Sequence, residues 1–510
     1  MSIVFRRVFP GAPGISIGQN RNVAWGVTTV MADDVDFYIE KINPKNPNQY
    51  WLKDRWVEMK VLAETIRIKD RDPVVTDVRL THHGPVISDL DDAAKKEVIS
   101  VRWAFTEVVQ PGQAAYLLAK AKNIQDVMQA LRHWLVPGQN FLFADSAGNI
   151  GYWCCAAIPV RPHGSGSGLL PLPGWTGEHE WQGYVPMDEM PHTINPPEGF
   201  IVTANNKVVS EEFPHPIGSY WEPPDRSTRL HQLLSVEKFS VEEFKAMQQD
   251  VYSLLAVELK PYMLRALESL QPDATAKRAR EILASWNFNM DRDSVGASLF
   301  EVTYCRLVEN IFQDEMGRDL FRDYVRTVVF PPRALRTMIR TGASSWLDNA
   351  STPHQETLDD IVAKSLAQAL VELQGLLGDS MDEWRWGRIH SLTFEHVLAR
   401  RKPLDRLFKL GPFPIGGSHL TVNKAMYPLD NPYAVKHGVS FRTIVDFSNL
   451  SQSLRVIPTG QSAHPGSPHY QDQTALYLNG QYRTAWSDRA EISRHTREVL
   501  KLRPSAAPAT

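Results

Sequence analysis

The stretch that decides the fold is residues 19–40, Gln19-Asn-Arg-Asn-Val-Ala-Trp-Gly-Val-Thr-Thr-Val-Met-Ala-Asp-Asp-Val-Asp-Phe-Tyr-Ile-Glu40. Val23 to Val30 is β-branched and aromatic around one glycine, a composition that predicts a buried strand. Three aspartates, at positions 33, 34 and 36, separate it from a second apolar run. Like charges beside apolar segments repel one another unless solvent or a cation neutralises them. Two interpretations stay open: a solvated turn, or a hard cation bound by Asp33, Asp36 and a backbone carbonyl.

The composition is that of a folded, enzyme-sized protein without a strong charge imbalance. The 510 residues include 55 basic and 58 acidic side chains, for a net charge of −3, and 43% of the residues are hydrophobic. This length suggests two to four units of roughly 150 residues. The near-neutral balance argues against a nucleic acid as the main partner. No run of ~18 apolar residues and no charged leader with an apolar segment is present, so neither a membrane span nor a secretory signal is predicted.

The hydrophobic pattern divides the first part of the chain into segments. Residues 1–110 consist of short β-rich runs, and residues 112–135 have a helical pattern. Residues 140–153 are predicted to form a hairpin whose turn begins at Asp145. Residues 160–200 are rich in proline, glycine and aromatic residues, which indicates an ordered long loop.

The pattern changes to a helical period after residue 226, where Ser240-Val-Glu-Glu has the letters of a helix capping box. The predicted fold class is therefore α+β. The predicted organisation is a first part of a sheet core at 1–229, a mainly helical insert at 230–390, a returning sheet segment at 391–500 and a disordered tail at 501–510.

Several residues are candidates for chemistry, each with a structural alternative. Asn205 ends a predicted strand, where a side-chain amide can donate to an oxyanion, but an Asn-Asn pair is also a common turn. Arg226 is either a functional charge or the partner of Asp225 in a salt bridge. Ser16 lies in Gly14-Ile-Ser-Ile-Gly18, which has the letters of a hydrolase nucleophile elbow without its strand–turn–helix context. Ser16 is therefore predicted to be a loop residue.

Histidine and cysteine spacing adds no further site. The sixteen histidines show no metal-binding spacing such as His-Glu-x-x-His, so no histidine metal site is predicted. The three cysteines lack a Cys-x-x-Cys spacing, which favours buried free thiols over zinc or redox chemistry.

An ordered set of motifs extends over almost the whole chain. It begins with Pro10 to Thr29 and Asp33-Asp34-Val35-Asp36, and it ends with Gly460 to Gln473. Each motif is weak alone, but the ordered set resembles the penicillin acylase (penicillin amidase) family. The resemblance implies an N-terminal-nucleophile hydrolase, an αββα sandwich with a mainly helical insert, which cleaves amides after self-processing exposes a serine. The intervening motifs are Asn149-Ile-Gly-Tyr, Leu172-Pro-Gly-Trp, Glu180-Trp-Gln-Gly, Thr203-Ala-Asn-Asn, Trp221 to Arg226 and Trp384-Arg-Trp-Gly.

The resemblance implies catalytic roles at three positions. Thr29 would supply a backbone amide and Asn205 a side-chain amide to the oxyanion, and Arg226 would be a charge that orients the site. The implied reaction is acyl transfer from a linear amide, of the β-lactam side-chain or acyl-homoserine lactone type, to an N-terminal serine, followed by hydrolysis. The implied partners are a small-molecule amide and a small (alpha) subunit, and the implied location is periplasmic or secreted.

The same resemblance implies a metal and an acyl pocket. Asp33 and Asp36, with the Val35 carbonyl between them, would bind one structural calcium ion. The positions that surround the acyl group are aliphatic here, although the chain is rich in aromatic residues, and would favour a fatty-acyl chain over an aryl ring. Those positions are Ile17, Val27 and Met31.

The chain departs from the family at the nucleophile. The family's serine opens a Ser-Asn-x-Trp run, which these 510 residues do not contain. That serine, the small subunit and a further calcium-binding acid would lie upstream of Met1, and His215-Pro216 replaces another calcium aspartate. Removal of Met1 would expose Ser2, but its surroundings do not match the family's start. The sequence thus predicts most of a large subunit, inactive alone; the alternative is a non-catalytic remnant or an acyl-ligand-binding protein of the same fold.

Overall fold

The computed structural model shows two compact units, residues 1–222 and 223–510. The predicted boundary after residue 229 falls within the first helix of the second unit, which also contains the predicted insert and the returning sheet segment. Most of the predicted tail, residues 502–510, lies outside the described residues. The described residues are 5–7, 15–90, 97–108, 111–162, 168–235, 239–269, 273–349 and 352–501.

The first unit is built mainly from short strands, as its β-branched runs predict. The helical pattern at 112–135 is present as two helices, α1 (Pro111–Leu118) and α2 (Ile124–Leu131). The strands are β1 (Phe5–Arg7), β2 (Ile17–Gln19), β3 (Val23–Thr29), β4 (Val35–Glu40), β5 (Ile42–Asn43), β6 (Asn46–Leu52), β7 (Arg55–Glu58), β8 (Lys60–Ile66), β9 (Val74–Leu80), β10 (Val98–Trp103), β11 (Gln139–Asp145), β12 (Ile150–Cys155), β13 (Leu172–Pro173) and β14 (His192–Ile194).

The largest sheet of this unit has six strands in the order β1-β2-β3-β11-β12-β14, all antiparallel. β3 pairs with β11, with Thr29 opposite Gln139. β11 and β12 form the predicted hairpin, and the Asp145 carboxylate accepts hydrogen bonds from the amides of Ala147 and Asn149 in the turn, each at 3.0 Å. The core beside this sheet includes Leu118, Val127, Leu131, Phe141 and Trp153.

The connection between β3 and β4, residues 30–34, joins this sheet to a second one of three strands, β10-β4-β13. Met31 has a left-handed backbone (φ 59°). A Cβ on Gly218 would lie 2.3 Å from the Met31 carbonyl oxygen, so only glycine fits at that position. The amide of Asp33 donates to the carbonyl of Ile217 (2.9 Å). These contacts fix the connection in which the aspartates lie.

The described residues of the second unit are mainly helical up to residue 389 and then form mainly short strands. The predicted capping box is present, because the side chains of Ser240 and Glu243 each accept from the other's backbone amide. In the described part of the chain, no helix is both long and apolar enough to cross a membrane. The helices are α3 (Asp225–Leu233), α4 (Val241–Gln248), α5 (Leu254–Ser269), α6 (Ala274–Ser285), α7 (Val295–Arg326, interrupted at Gly317), α8 (Phe330–Thr341), α9 (Leu358–Leu377), α10 (Trp386–Ile389), α11 (Asp405–Phe408), α12 (Thr474–Leu478) and α13 (Arg489–His495). The strands are β15 (Ser391–Phe394), β16 (Leu410–Pro414), β17 (Ala425–Met426), β18 (Ala434–Val435), β19 (His437–Gly438), β20 (Arg442–Ile444), β21 (Leu454–Val456) and β22 (Arg483–Thr484).

Candidate active site

Thr29 and Asn205, the two residues predicted to face an oxyanion, lie next to each other. Thr29 is the last residue of β3, and the Asn205 side-chain amide donates to its carbonyl oxygen (Nδ2–O 3.1 Å). Asn205 has a left-handed backbone (φ 63°), which asparagine tolerates better than most residues. Its carbonyl accepts from the amide of Glu222 (3.0 Å), which anchors the turn. The fold therefore brings together two residues that are 176 positions apart.

A buried polar network supports the end of β3, and no sequence motif indicates it. The Tyr152 hydroxyl donates to Asn140 Oδ1 (2.7 Å), and Asn140 Nδ2 donates to the Thr28 hydroxyl (3.2 Å). The hydroxyls of Thr28 and Thr203 are hydrogen-bonded, which links β3 to the segment that leads to Asn205. Burial raises the pKa of Tyr152 well above its usual range, so its hydroxyl stays protonated and donates. The available signal is Asn140, a polar residue directly before the apolar run Phe141-Leu-Phe-Ala of β11.

Arg226 lies in the first turn of α3, in the second unit, and is half-buried. The salt bridge of Asp225 is made with Arg336, whose two terminal nitrogens donate to both carboxylate oxygens (2.5 Å each). α8 thus places a guanidinium on that buried carboxylate, and the interpretation in which Asp225 pairs with its neighbour Arg226 stays a prediction. A site-orienting role of Arg226 stays a prediction.

The three residues predicted to surround an acyl group, Ile17, Val27 and Met31, are each half-buried. Val27 and Met31 pack against the core of the first unit, and Ile17 begins β2, the strand next to β3. Val27 and Thr29 are two residues apart on β3 and so share one face of that strand. Ser16 lies in a bend before β2, as the loop prediction requires. The acyl-binding role of the three aliphatic residues stays a prediction.

The aspartates that follow β3 converge on an arginine. Arg161 donates from Nε and Nη2 to the two carboxylate oxygens of Asp36 (2.8 and 3.0 Å) and from Nη2 to Asp33 Oδ1 (3.1 Å). The side chains of Arg161 and Asp36 are 4% and 0% exposed. Trp181 Nε1 also donates to Asp36 Oδ2 (2.6 Å). Burial, partly offset by the charge of Arg161, raises the pKa of Asp33 to about 6.

This contact bears on the calcium prediction at Asp33, Val35 and Asp36. A calcium ion takes roughly six to eight oxygen ligands, whereas three of the four carboxylate oxygens here receive hydrogen bonds from a guanidinium. Val35 begins β4 between the two aspartates. The residues as they are arranged do not fit a calcium ion unless Arg161 moves away. Arg161 adds a third interpretation to the solvated turn and the bound metal, in which an internal guanidinium neutralises the aspartates. Calcium binding stays a prediction.

The residues of this site all lie within the match to a known protein family. The model of that family, described as penicillin amidase, matches residues 7–494. The chain belongs to the penicillin amidase family. The family predicted from the ordered motifs is thereby confirmed.

Relatives of the chain in the penicillin amidase family include two kinds of acylase. It is 30% identical over 492 residues to the acyl-homoserine lactone acylase QuiP of Pseudomonas fluorescens, covering 92% of this chain and 59% of that protein. It is 29% identical over 498 residues to the penicillin acylase 2 proenzyme of Pseudomonas sp. strain SE83, covering 95% of this chain and 60% of that protein. The chain thus spans 59–60% of the length of these relatives.

A solved penicillin G acylase has the same fold. The thermostable penicillin G acylase from Alcaligenes faecalis superimposes with a TM-score of 0.74, covering 99% of this chain and 94% of that chain at 20% identity. This match confirms the predicted fold class, an α+β N-terminal-nucleophile hydrolase of the αββα type.

Proposed function

We propose that this protein is the large-subunit part of an amidohydrolase that cleaves linear amides of small molecules. The observation that carries the proposal is the contact of Asn205 with Thr29 at the end of β3, in a chain of the penicillin amidase family. The serine nucleophile and the small subunit would come from sequence outside these 510 residues. Because oxyanion donors without an attacking atom cannot perform covalent catalysis, the 510-residue chain by itself is expected not to turn over amides.

The proposed reaction has two stages. The serine hydroxyl attacks the amide carbonyl carbon, its proton passes through the free α-amine of the serine to the departing amine, and an ester remains. The Asn205 Nδ2 group and the Thr29 backbone amide donate to the carbonyl oxygen as it becomes negative. Water then cleaves the ester, which releases a carboxylic acid and restores the serine. Arg226 would orient these groups.

We further propose an aliphatic acyl group as the preferred substrate portion. Ile17, Val27 and Met31 offer branched or flexible apolar surface with no ring to stack on an aryl group. Each buried methylene contributes ~0.8 kcal/mol, so six more carbons in a fitting pocket change the affinity by roughly a thousandfold or more. The relatives named as acyl-homoserine lactone acylases agree with this assignment. β-Lactam side-chain amides are the competing substrates.

The test uses the protein completed with the small subunit and serine segment of a relative. Specificity constants are compared for dodecanoyl and phenylacetyl amides that have the same leaving group. The dodecanoyl amide is expected to be preferred, and Val27→Phe is expected to reduce that preference, whereas Val61→Phe on an exposed part of β8 is the matched control.

Three outcomes would distinguish the aliphatic pocket, the amidohydrolase activity and the role of Val27. Preference for the phenylacetyl amide would overturn the aliphatic pocket and leave the amidohydrolase. A folded complex that binds both amides without cleaving them would support the alternative, an acyl-ligand-binding protein. An unchanged preference for the dodecanoyl amide in Val27→Phe would show that Val27 does not line the acyl pocket.

A periplasmic or secreted location is proposed on family resemblance alone. The relatives are longer than this chain, which spans 59–60% of their length, and the expectation concerns a protein of that full length. Fractionation of cells that express the complete protein tests it, and recovery with the cytoplasmic marker would contradict it.

A further inference from the structure

Two histidines project from a tight turn that follows β9. The amide of Thr81 donates to the carbonyl of Gly84 (2.9 Å), which closes the turn. Gly84 has a φ of 135°, and a Cβ there would lie 2.3 Å from the carbonyl oxygen of Val101, so no other residue fits. The turn places His82 and His83 side by side, with their ring centroids 3.7 Å apart.

Both imidazoles are aimed at the same carboxylate oxygen. The Nε2 atoms of His82 and His83 each lie 3.0 Å from Glu180 Oε1. The potential ligand atoms of the three residues all lie within 4.8 Å of one another. Ligand atoms 2.0–2.2 Å from a tetrahedral zinc ion are roughly 3.3–3.5 Å apart, so small shifts of these side chains would admit the ion.

Each histidine engages a second partner through its other ring nitrogen. His83 Nδ1 lies 2.9 Å from Glu40 Oε1, and His82 Nδ1 lies 3.2 Å from the Tyr50 hydroxyl. Metal-ligating histidines characteristically hold a carboxylate or another oxygen in this way, because that contact fixes the tautomer and presents the free Nε2 lone pair to the metal. The side chains of His83 and Glu40 are both 0% exposed, so this outer contact is rigid.

The charges around the cluster favour an added cation. Glu40 and Glu180 bring two carboxylates, and Glu40 Oε2 is buried without a hydrogen-bond partner. A Cβ on Gly174 would lie 2.7 Å from that oxygen, so the backbone packs closely against it. Arg102, whose Nη1 lies 3.5 Å from Glu180 Oε2, contacts the oxygen that faces away from the histidines.

We propose that His82, His83 and Glu180 bind one first-row divalent metal ion, with zinc as the preferred ion. The side chains of His82 and Glu180 are 29% and 34% exposed, so water can complete a four-coordinate shell around three protein ligands. The ion would tie the turn after β9 to the segment that contains Trp181, whose indole donates to Asp36. This proposal does not depend on amide hydrolysis.

The experiment is a zinc titration of the purified chain after treatment with a chelator. Calorimetry measures the affinity, and elemental analysis measures the bound metal. One zinc ion per chain is expected, with micromolar or tighter affinity. His82→Ala and Glu180→Gln are each expected to weaken binding by more than the roughly 10- to 100-fold that loss of an outer partner costs. His354→Ala removes an exposed histidine elsewhere in the chain and is expected to leave the zinc affinity and stoichiometry unchanged.

Circular dichroism confirms that each variant is folded before it is titrated. Cobalt(II) supplies a second readout, because a bound ion with two imidazole ligands and a carboxylate in a tetrahedral shell absorbs visible light strongly. A folded wild-type chain that takes up no zinc overturns the proposal. Stoichiometric uptake that survives both His82→Ala and Glu180→Gln also overturns it, since the metal would then be bound elsewhere.

Discussion

Replacement of Arg161 by methionine removes the cation that lies between two buried aspartates and keeps a side chain of similar length. Asp36 keeps the hydrogen bond from Trp181, but both aspartates lose their contacts to the guanidinium. Removal of one partner from a buried ion pair costs about 3–5 kcal/mol, because a buried charge is left uncompensated. We expect the free energy of unfolding of Arg161→Met to fall by that amount near neutral pH.

The free energy of unfolding is expected to depend on pH because of Asp33. Its pKa in the folded protein is about 6, above the ordinary 3.8, so the folded state binds more protons than the unfolded state between these values. Stability therefore falls as the pH rises through this window, by roughly 3 kcal/mol for a shift of this size. Arg161 lowers this pKa, so its removal extends the window to higher pH. Acidification is expected to restore part of the stability that Arg161→Met loses.

The assay is urea unfolding followed by tryptophan fluorescence, on both sides of this window and with or without calcium. Arg132→Met is the control, because the Arg132–Asp188 pair is 41% and 67% exposed and such pairs contribute about 1 kcal/mol or less. Calcium is expected to stabilise Arg161→Met, whose aspartate oxygens are free to coordinate it, and not the wild type. A loss no larger than that of Arg132→Met would refute the reasoning, as would equal stabilisation of variant and wild type by calcium.

Three further substitutions test buried contacts, two of them in the first unit and the third, at Glu301, in α7 of the second unit. Tyr152→Phe leaves Asn140 Oδ1 buried without its donor and is expected to cost about 1–3 kcal/mol in chemical unfolding; no loss would contradict the role of the network. Gly218→Ala places a Cβ against the Met31 carbonyl oxygen and is expected to lower the thermal midpoint; an unchanged midpoint would contradict this close approach. Burial raises the pKa of Glu301 to about 7, so stability falls as the pH rises from about 4.5 to 7, by roughly 3 kcal/mol, and Glu301→Gln is expected to flatten that slope.

Local patterns in the sequence predict much of the fold, whereas the polar contacts of the site depend on long-range packing. The sequence predicts the strand from Val23 and the hairpin turn at Asp145, because strand alternation and turn residues depend on only a few neighbouring positions. The contact of Asn205 with Thr29 follows from the family resemblance and from no spacing rule. Arg161 is 128 positions from Asp33, and nothing in the local sequence joins them.

The cluster of His82, His83 and Glu180 cannot be predicted from the sequence for the same reason, because it depends on long-range packing. His82 and His83 are adjacent, a spacing outside the helical metal motifs, and Glu180 is 97 positions from His83. The turn after β9 places the two histidines side by side, and long-range packing brings Glu180 against them. The same limitation applies to the contact of Asp225 with Arg336, which is 111 positions away in the sequence.

The central claim is that Asn205 and Thr29 stabilise an oxyanion, and the turnover number of Asn205→Ala in the completed enzyme tests it most directly. Asn48→Ala, on an exposed part of β6, is the matched control. Loss of one oxyanion donor is expected to lower kcat by ~100- to 1000-fold. Because the interaction forms mainly in the transition state, KM is expected to change little. A kcat of Asn205→Ala equal to that of Asn48→Ala would contradict the account.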